Sequence, residues 1–329
     1  MAVSIIPGDA STLNTGYRQF GCIAYEGVSV GAGLPDSIDM GDNQRVVFAQ
    51  PVELDKFWKD DLGNYQSQHL SKSNFAIELV QPEGTTSYDE IASRLWGTMY
   101  SILLFGMPRL IGGLEILGTR YQNGVTVHKV TTPYRIGFCP HARAALLSGN
   151  AFMKARTVAS RLREIHRTGT DFFRLRRGFL AWVSATRTEK GDGRLHEFIR
   201  AVEAVVKPEQ SKTREQFVRR TALFALNGDI VTELFNLRSA TEHMNDYSPI
   251  VTGNNIWGLE RCGWYRSFQA EMLAQVVYTR ILSNAALLEQ FRTDNAIDAF
   301  WEMDESSRQK MWGNPVNLNQ LAEARFIVD

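Results

Sequence analysis

Arg238 and His243 are the two residues of this chain whose types and spacing suit chemistry on a phosphate. They lie in the stretch Asp229 to Tyr247, DIVTELFNLRSATEHMNDY, which reads as one helix. An arginine is permanently charged and grips a phosphate through a planar fork of donors. A histidine titrates near neutrality and can move a proton. Together they could cleave RNA without a metal. The 2′-hydroxyl would attack the adjacent phosphorus, Arg238 would stabilise the developing charge, and His243 would serve as general acid or base.

Helical geometry separates the pair by roughly 140° around the axis and about 7.5 Å along it. One helix therefore does not aim both at one small ligand. A second copy related by a two-fold axis could complete a shared cleft. The spacing is not specific, because Arg161 to His166 and Arg135 to His141 are similar. A purely structural reading also exists. Arg238 and Glu242 stand at i, i+4 and can pair on the helix surface, and His243 can cap the helix end, where a cation is favourable.

The elements that must position the pair come from patterning. The same wheel puts Ile230, Leu234, Leu237, Thr241 and Met244 on one face, and Asp229 is a candidate N-cap. After Pro140 almost no strand signal remains. Helices are expected over His141 to Arg167, Phe172 to Arg187, Leu195 to Val206, Thr213 to Leu226, Cys262 to about Phe291 and Asn295 to Trp301, with a turn at Gly191 to Gly193 and a peripheral tail. Leu195, Phe198, Ile199, Val202, Val205 and Val206 give the clearest amphipathic stripe. Before Pro140 the chain reads as mixed. Arg45 to Phe48 and Phe75 to Val80 are strands, and Asp55 to Leu70, with Phe57, Trp58, Leu62 and Tyr65, is a short helix. Ser87 to Phe105 is a helix opened by the capping box Ser87–Glu90, with Ile91, Leu95, Thr98, Met99, Ile102 and Leu103 as its stripe. Gly112 to Tyr121 and Val125 to Val130 form a hairpin through Asn123-Gly124. Gly27 to Ser37 reads as loop, without a phosphate-loop or dinucleotide-binding signature. The fold class expected is α+β: a mixed domain over 1–140, then an all-α domain over 141–329.

Composition limits the functions. The chain has 329 residues, 44% hydrophobic, with 36 basic and 36 acidic residues, so total charge points to no partner. Local charge does. Ten basic residues from Lys154 to Lys190, including Arg174, Arg176 and Arg177, meet only three acidic ones. That field suits RNA, or is a solvated helix face. Cys22, Cys139 and Cys262 are far apart, which suggests a reducing compartment and no cysteine-based zinc site. No signal peptide is visible at the start. Met99 to Ile111 is shorter than the ~20 apolar residues a membrane span needs. A cytoplasmic protein with no cofactor and no metal is expected.

Three consecutive segments carry a family resemblance. Arg200 to Val206 (RAVEAVV), Phe217 to Ala225 (FVRRTALFA) and Phe235 to His243 (FNLRSATEH) resemble the "R-hydrophobic-ALEAL", "YRLALRAA" and "LYxLRSxxxHG" helices of the HEPN superfamily (higher eukaryotes and prokaryotes nucleotide-binding), in its ApeA-like branch. The resemblance covers roughly residues 172–291. It implies an all-helical bundle, usually a homodimer and often a metal-independent endoribonuclease, with many members in anti-phage or toxin–antitoxin systems. By position it implies Arg238 and His243 as the catalytic pair and Ser239 as the polar residue after the arginine. Glu203 is the glutamate of the first helix, which could orient Arg238 or be a structural ion-pair partner. Met244 stands where relatives often have Gly. The family also has inactive members, so a helical module that binds RNA, a nucleotide or a regulatory protein partner is the second expectation.

Overall fold

The structure is a computed structural model, and it describes residues 18–82, 84, 86–108, 110–121, 124–132, 136, 139–246, 248–251 and 258–327. The beginning of the chain, Asn123 of the expected turn, Tyr247 and most of the expected loop after Val251 lie outside the described residues. The chain forms two compact units, Met1–Tyr134 with Ala144–Arg163, and Arg135–Arg143 with Glu164–Asp329. That division is not a single cut at residue 140.

The first unit is a six-stranded antiparallel sheet with helices on both faces. Its strands are β1 (Arg18–Glu26), β2 (Ser37–Gly41), β3 (Gln44–Val47), β4 (Phe75–Pro82), β5 (Ile111–Tyr121) and β6 (Gly124–Thr131), in the order β2-β3-β4-β1-β5-β6. Phe20, Cys22 and Ala24 face one side, where they meet Trp58 and Leu70 of α1 (Lys56–Ser71). On the other side α2 (Tyr88–Leu103) comes so near that a Cβ on Gly21 would lie 2.4 Å from Ile91. The stripe expected for α2 is buried in full, and Ser87 caps it by accepting from the Glu90 amide.

The central strand β1 and the edge strand β2 were not expected. A strand buried on both faces shows no alternation, and Gly21 weakens the apolar run FGCIAY as a strand signal. Asp55, where the expected helix begins, caps α1 by accepting from the Trp58 amide. Phe57 and Tyr65 are nonetheless exposed: Trp58, about 100° further round the helix, takes the core position in place of Phe57, and Gly63, with φ 71°, breaks the helix before Tyr65. Most of α3 (Gly149–Arg167) also belongs to this unit. There Arg156 pairs with Asp39 at 3.1 Å and Arg163 with Asp42 at 2.6 Å.

The second unit is helical: α4 (Phe173–Arg187), α5 (Gly191–Val206), α6 (Thr213–Thr221), α7 (Gly228–Glu242), α8 (Leu259–Ser283), α9 (Ala285–Glu289), α10 (Asp294–Glu302), α11 (Glu305–Trp312) and α12 (Leu318–Glu323). Its core holds the whole stripe of α5 together with Trp182, Phe217, Leu234, Phe268 and Tyr278. Each such side chain contributes about 1.5–3 kcal/mol by leaving water. Gly178 fixes the spacing of α4 and α5. A Cβ there would meet Ala204 at 2.5 Å and the Tyr278 hydroxyl at 2.1 Å, and that hydroxyl donates to the Ala201 carbonyl at 2.9 Å.

Several expectations change here. Gly191 to Gly193 is the first turn of α5, not a loop; Gly191 sits against the Trp264 ring, 3.3 Å from where a Cβ would be, so tight packing offsets its poor propensity. The end of the chain is core and not a peripheral tail: Phe326 packs on Tyr265 and Phe268, and Trp312 lies 4.2 Å from the Phe224 ring. Among the described residues, no helix is long and apolar enough to cross a membrane.

Candidate functional site

Helix α7 places Arg238 where α5 runs alongside it. Ile230, Leu234 and Leu237 are buried as their spacing implies, and Arg238 stands beside that stripe with its side chain 15% exposed. Asn227, not Asp229, precedes the first turn, and its side chain does not cap α7; its Oδ1 accepts from the Leu318 amide instead, at 2.8 Å. Tertiary demand on that side chain displaces the local cap.

Two carboxylates hold Arg238. One terminal nitrogen donates to Glu203 on α5 at 3.0 Å, and the other donates to Glu242, one turn further along α7. Both structural pairings that the sequence allows are therefore made. Glu203 is 15% exposed and Glu242 42%. The pairs differ for that reason: an exposed i, i+4 pair is worth about 0.3–0.5 kcal/mol, while the half-buried Glu203 pair is screened less by water and salt. Two buried polar atoms remain without a hydrogen-bond partner, Nε of Arg238 and Oε1 of Glu203. Burial pushes the Glu203 carboxyl above the ordinary glutamate range, against the pull of Arg238, and the charge of Glu242 raises it further.

Arg238 and Glu203 line a groove of about 400 Å³, within the range of small-ligand pockets. Arg174 and Arg177 of α4 and Arg200 of α5 reach it as well. Four arginines thus meet only the carboxylates of Glu203 and Asp294 in the lining. Asp294 binds Arg174 at 3.3 Å and Glu197 binds Arg200 at 3.1 Å. Arg177 has no carboxylate partner among the described residues.

The other expected site residues are placed differently. Arg176 donates to the carbonyls of Ile165 and Gly169, so it ties down the turn before α4 and does not face the groove. The basic run divides for the same kind of reason: Arg156 and Arg163 are held by aspartates of the first unit, and of the run only Arg174 and Arg177 line the groove. Ser239 is half-buried outside the groove lining.

His243 is exposed and forms the C-cap of α7. It is absent from the groove lining, so that groove holds Arg238 without His243. The helix ends in a Schellman motif: the Asn245 amide donates to Ala240 at 2.9 Å and the Met244 amide to Thr241 at 3.2 Å. Met244 occupies the left-handed position with φ 55° and is 95% exposed. It has left the helical face assigned to it, because that face ends where φ changes sign. Met244 thus holds a backbone conformation that glycine adopts most readily.

Phe173 and Arg200 were missed as site residues. The signals were present. Arg200 shares a face with Glu203 at i, i+3, and Phe173 falls on the side of α4 opposite Leu175, Phe179 and Trp182.

No protein-family model, curated protein or solved structure matches this chain.

Proposed function

We propose that the helical unit is a HEPN-type, metal-independent endoribonuclease module, acting in the cytoplasm as a homodimer in an anti-phage or toxin–antitoxin setting. The observation that carries this reading is the convergence of Arg174, Arg177 and Arg200 on the groove that contains Arg238. Arginines in a shared concavity recognise phosphate oxygens by charge and by forked hydrogen bonds. Arg238 would take the scissile phosphate by displacing Glu242, its weaker and more exposed partner. Glu203 keeps the guanidinium oriented while that happens. As the 2′-oxygen bonds to phosphorus and the bond from phosphorus to the 5′-oxygen breaks, His243 of a second copy would take the proton of the 2′-hydroxyl or give one to the departing 5′-oxygen, since the exposed end of α7 leaves its ring accessible to a neighbouring molecule.

Cleavage of mixed-sequence RNA in excess EDTA tests this, with wild type compared to Arg238→Ala and His243→Ala. Loss of a charge-stabilising group at a phosphoryl centre is expected to lower the rate about 10²–10³-fold. Equal cleavage by all three proteins would end the ribonuclease reading.

A second reading is favoured by one specific observation, the absence of His243 from the Arg238 groove. In that reading the unit binds RNA without cutting it. Steeply salt-dependent RNA binding without cleavage would decide for it.

A further inference from the structure

We infer that the groove takes an unpaired nucleotide of RNA, with its base stacked on the exposed ring of Phe173. This rests on the reading of the groove as an RNA site and names the form of RNA it accepts.

Phe173 is the first residue of α4 and 57% exposed, in contrast with Phe172, which is 5% exposed. An exposed aromatic at the edge of a basic groove is the arrangement that single-stranded nucleic acid uses: cations track the backbone while bases stack on rings. The Arg177 guanidinium lies over the ring, 5.8 Å from its centroid, and Arg177 lines the same groove. Phe172, the preceding residue, adopts φ 58° with its amide bound to the Arg292 carbonyl. Positive φ is unfavourable for a bulky residue, and such outliers concentrate where a neighbouring group must be aimed. Here the outlier sends one phenylalanine into the core and the next onto the surface beside the arginines.

Size and geometry favour a single strand. The groove volume of about 400 Å³ suits a nucleotide and not a helix, and a base stacked between its neighbours inside a duplex offers no free face to a protein ring. With the base on Phe173, the neighbouring phosphate faces Arg177, Arg200 and Arg238. Phe173 is therefore a positioning residue, and the stack makes the site prefer loops, bulges and ends over duplex.

Equilibrium anisotropy with three labelled RNAs tests this: a single strand, the same sequence as a blunt duplex, and a strand abasic at internal positions. The proteins are wild type, Phe173→Ala and Phe173→Tyr. Wild type is expected to prefer the single strand. Phe173→Ala should weaken single-strand binding roughly five- to a hundred-fold and leave the abasic strand unchanged, and Phe173→Tyr should retain wild-type affinity. Single-strand binding that survives Phe173→Ala overturns the stack while leaving the RNA groove in place. Absence of any RNA binding by wild type removes both. Sedimentation of Phe173→Ala is the second readout: an unchanged oligomeric state is expected, and conversion of a dimer to monomers would make Phe173 an interface residue and overturn the stack.

Discussion

The two ends of helix α5 carry two ion pairs that look alike in sequence and differ in structure. Near its start, Arg194 binds Glu271 of α8 at 2.8 Å, with side chains 1% and 3% exposed. About 13 Å further along the axis, Glu203 binds Arg238 of α7 at 3.0 Å, both 15% exposed. Arg194 also donates to the Thr188 carbonyl, and Gln275 donates to Glu271. The second pair leaves Nε of Arg238 and Oε1 of Glu203 unmatched beside an open groove. Depth and completeness separate scaffold from site. A pair closed to water and satisfied on both sides holds helices together. A pair with unused polar atoms at the edge of a concavity retains capacity for a ligand.

That contrast can be broken at its deeper end first. Arg194→Met leaves the Glu271 carboxylate buried without its cation, and urea unfolding should show a loss of about 3–5 kcal/mol. Adding Glu271→Leu should recover most of it. Arg238→Met should cost only about 1 kcal/mol, because Glu203 can protonate and Glu242 can turn to water. Equal losses at Arg194 and Arg238 would remove the distinction drawn between them.

A pH series sharpens the comparison at the shallower end. The Glu203 carboxyl is raised in the folded protein above its ordinary value of 4.5, so the folded state binds a proton more readily than the unfolded chain. Stability therefore rises as pH falls through the raised value toward 4.5 and is lowest where Glu203 is charged. Unfolding midpoints taken from neutral pH down through 4.5 should shift in favour of wild type relative to Glu203→Gln as the pH drops. A constant difference across that range would mean that burial does not disfavour the charged form. The groups facing this carboxyl are Arg238 and Glu242 from α7 and Arg200 from its own helix. All three should be kept unchanged in the series.

The smallest effect lies at the end of α7. Met244→Gly relieves a left-handed residue that costs about 1–2 kcal/mol, less the greater chain entropy of glycine. A net gain of about 0.5–1 kcal/mol in thermal unfolding is expected. A loss would show that the exposed Met244 side chain makes contacts that outweigh its backbone strain.

Much of this was legible in the sequence. The apolar spacing of α2 and α5 named their buried faces correctly, and that of α7 did so as far as Leu237, because helical periodicity is local and each stripe needs only something to pack against. Glu203, Glu242 and Arg238 were singled out together, and the i, i+4 spacing of the last two forced them to be neighbours. The strand β1 escaped because burial on both faces erases alternation. The start of α5 escaped because glycines read as a turn until the Trp264 ring is seen against them.

What the sequence determined by itself is the set of local facts: which faces are apolar, where Ser87 and Asp55 start helices, and which charges lie one turn apart. Only the tertiary structure decided which arginines share a groove. Arg174 and Arg177 line the same groove as Arg238 because Gly178 lets α4 lie against α5, whereas Arg176, between them in sequence, is turned to backbone carbonyls. That outcome depends on the distance and rotation between two helices, and such quantities follow from the packing of the whole core and not from the spacing of residues along one strand or helix.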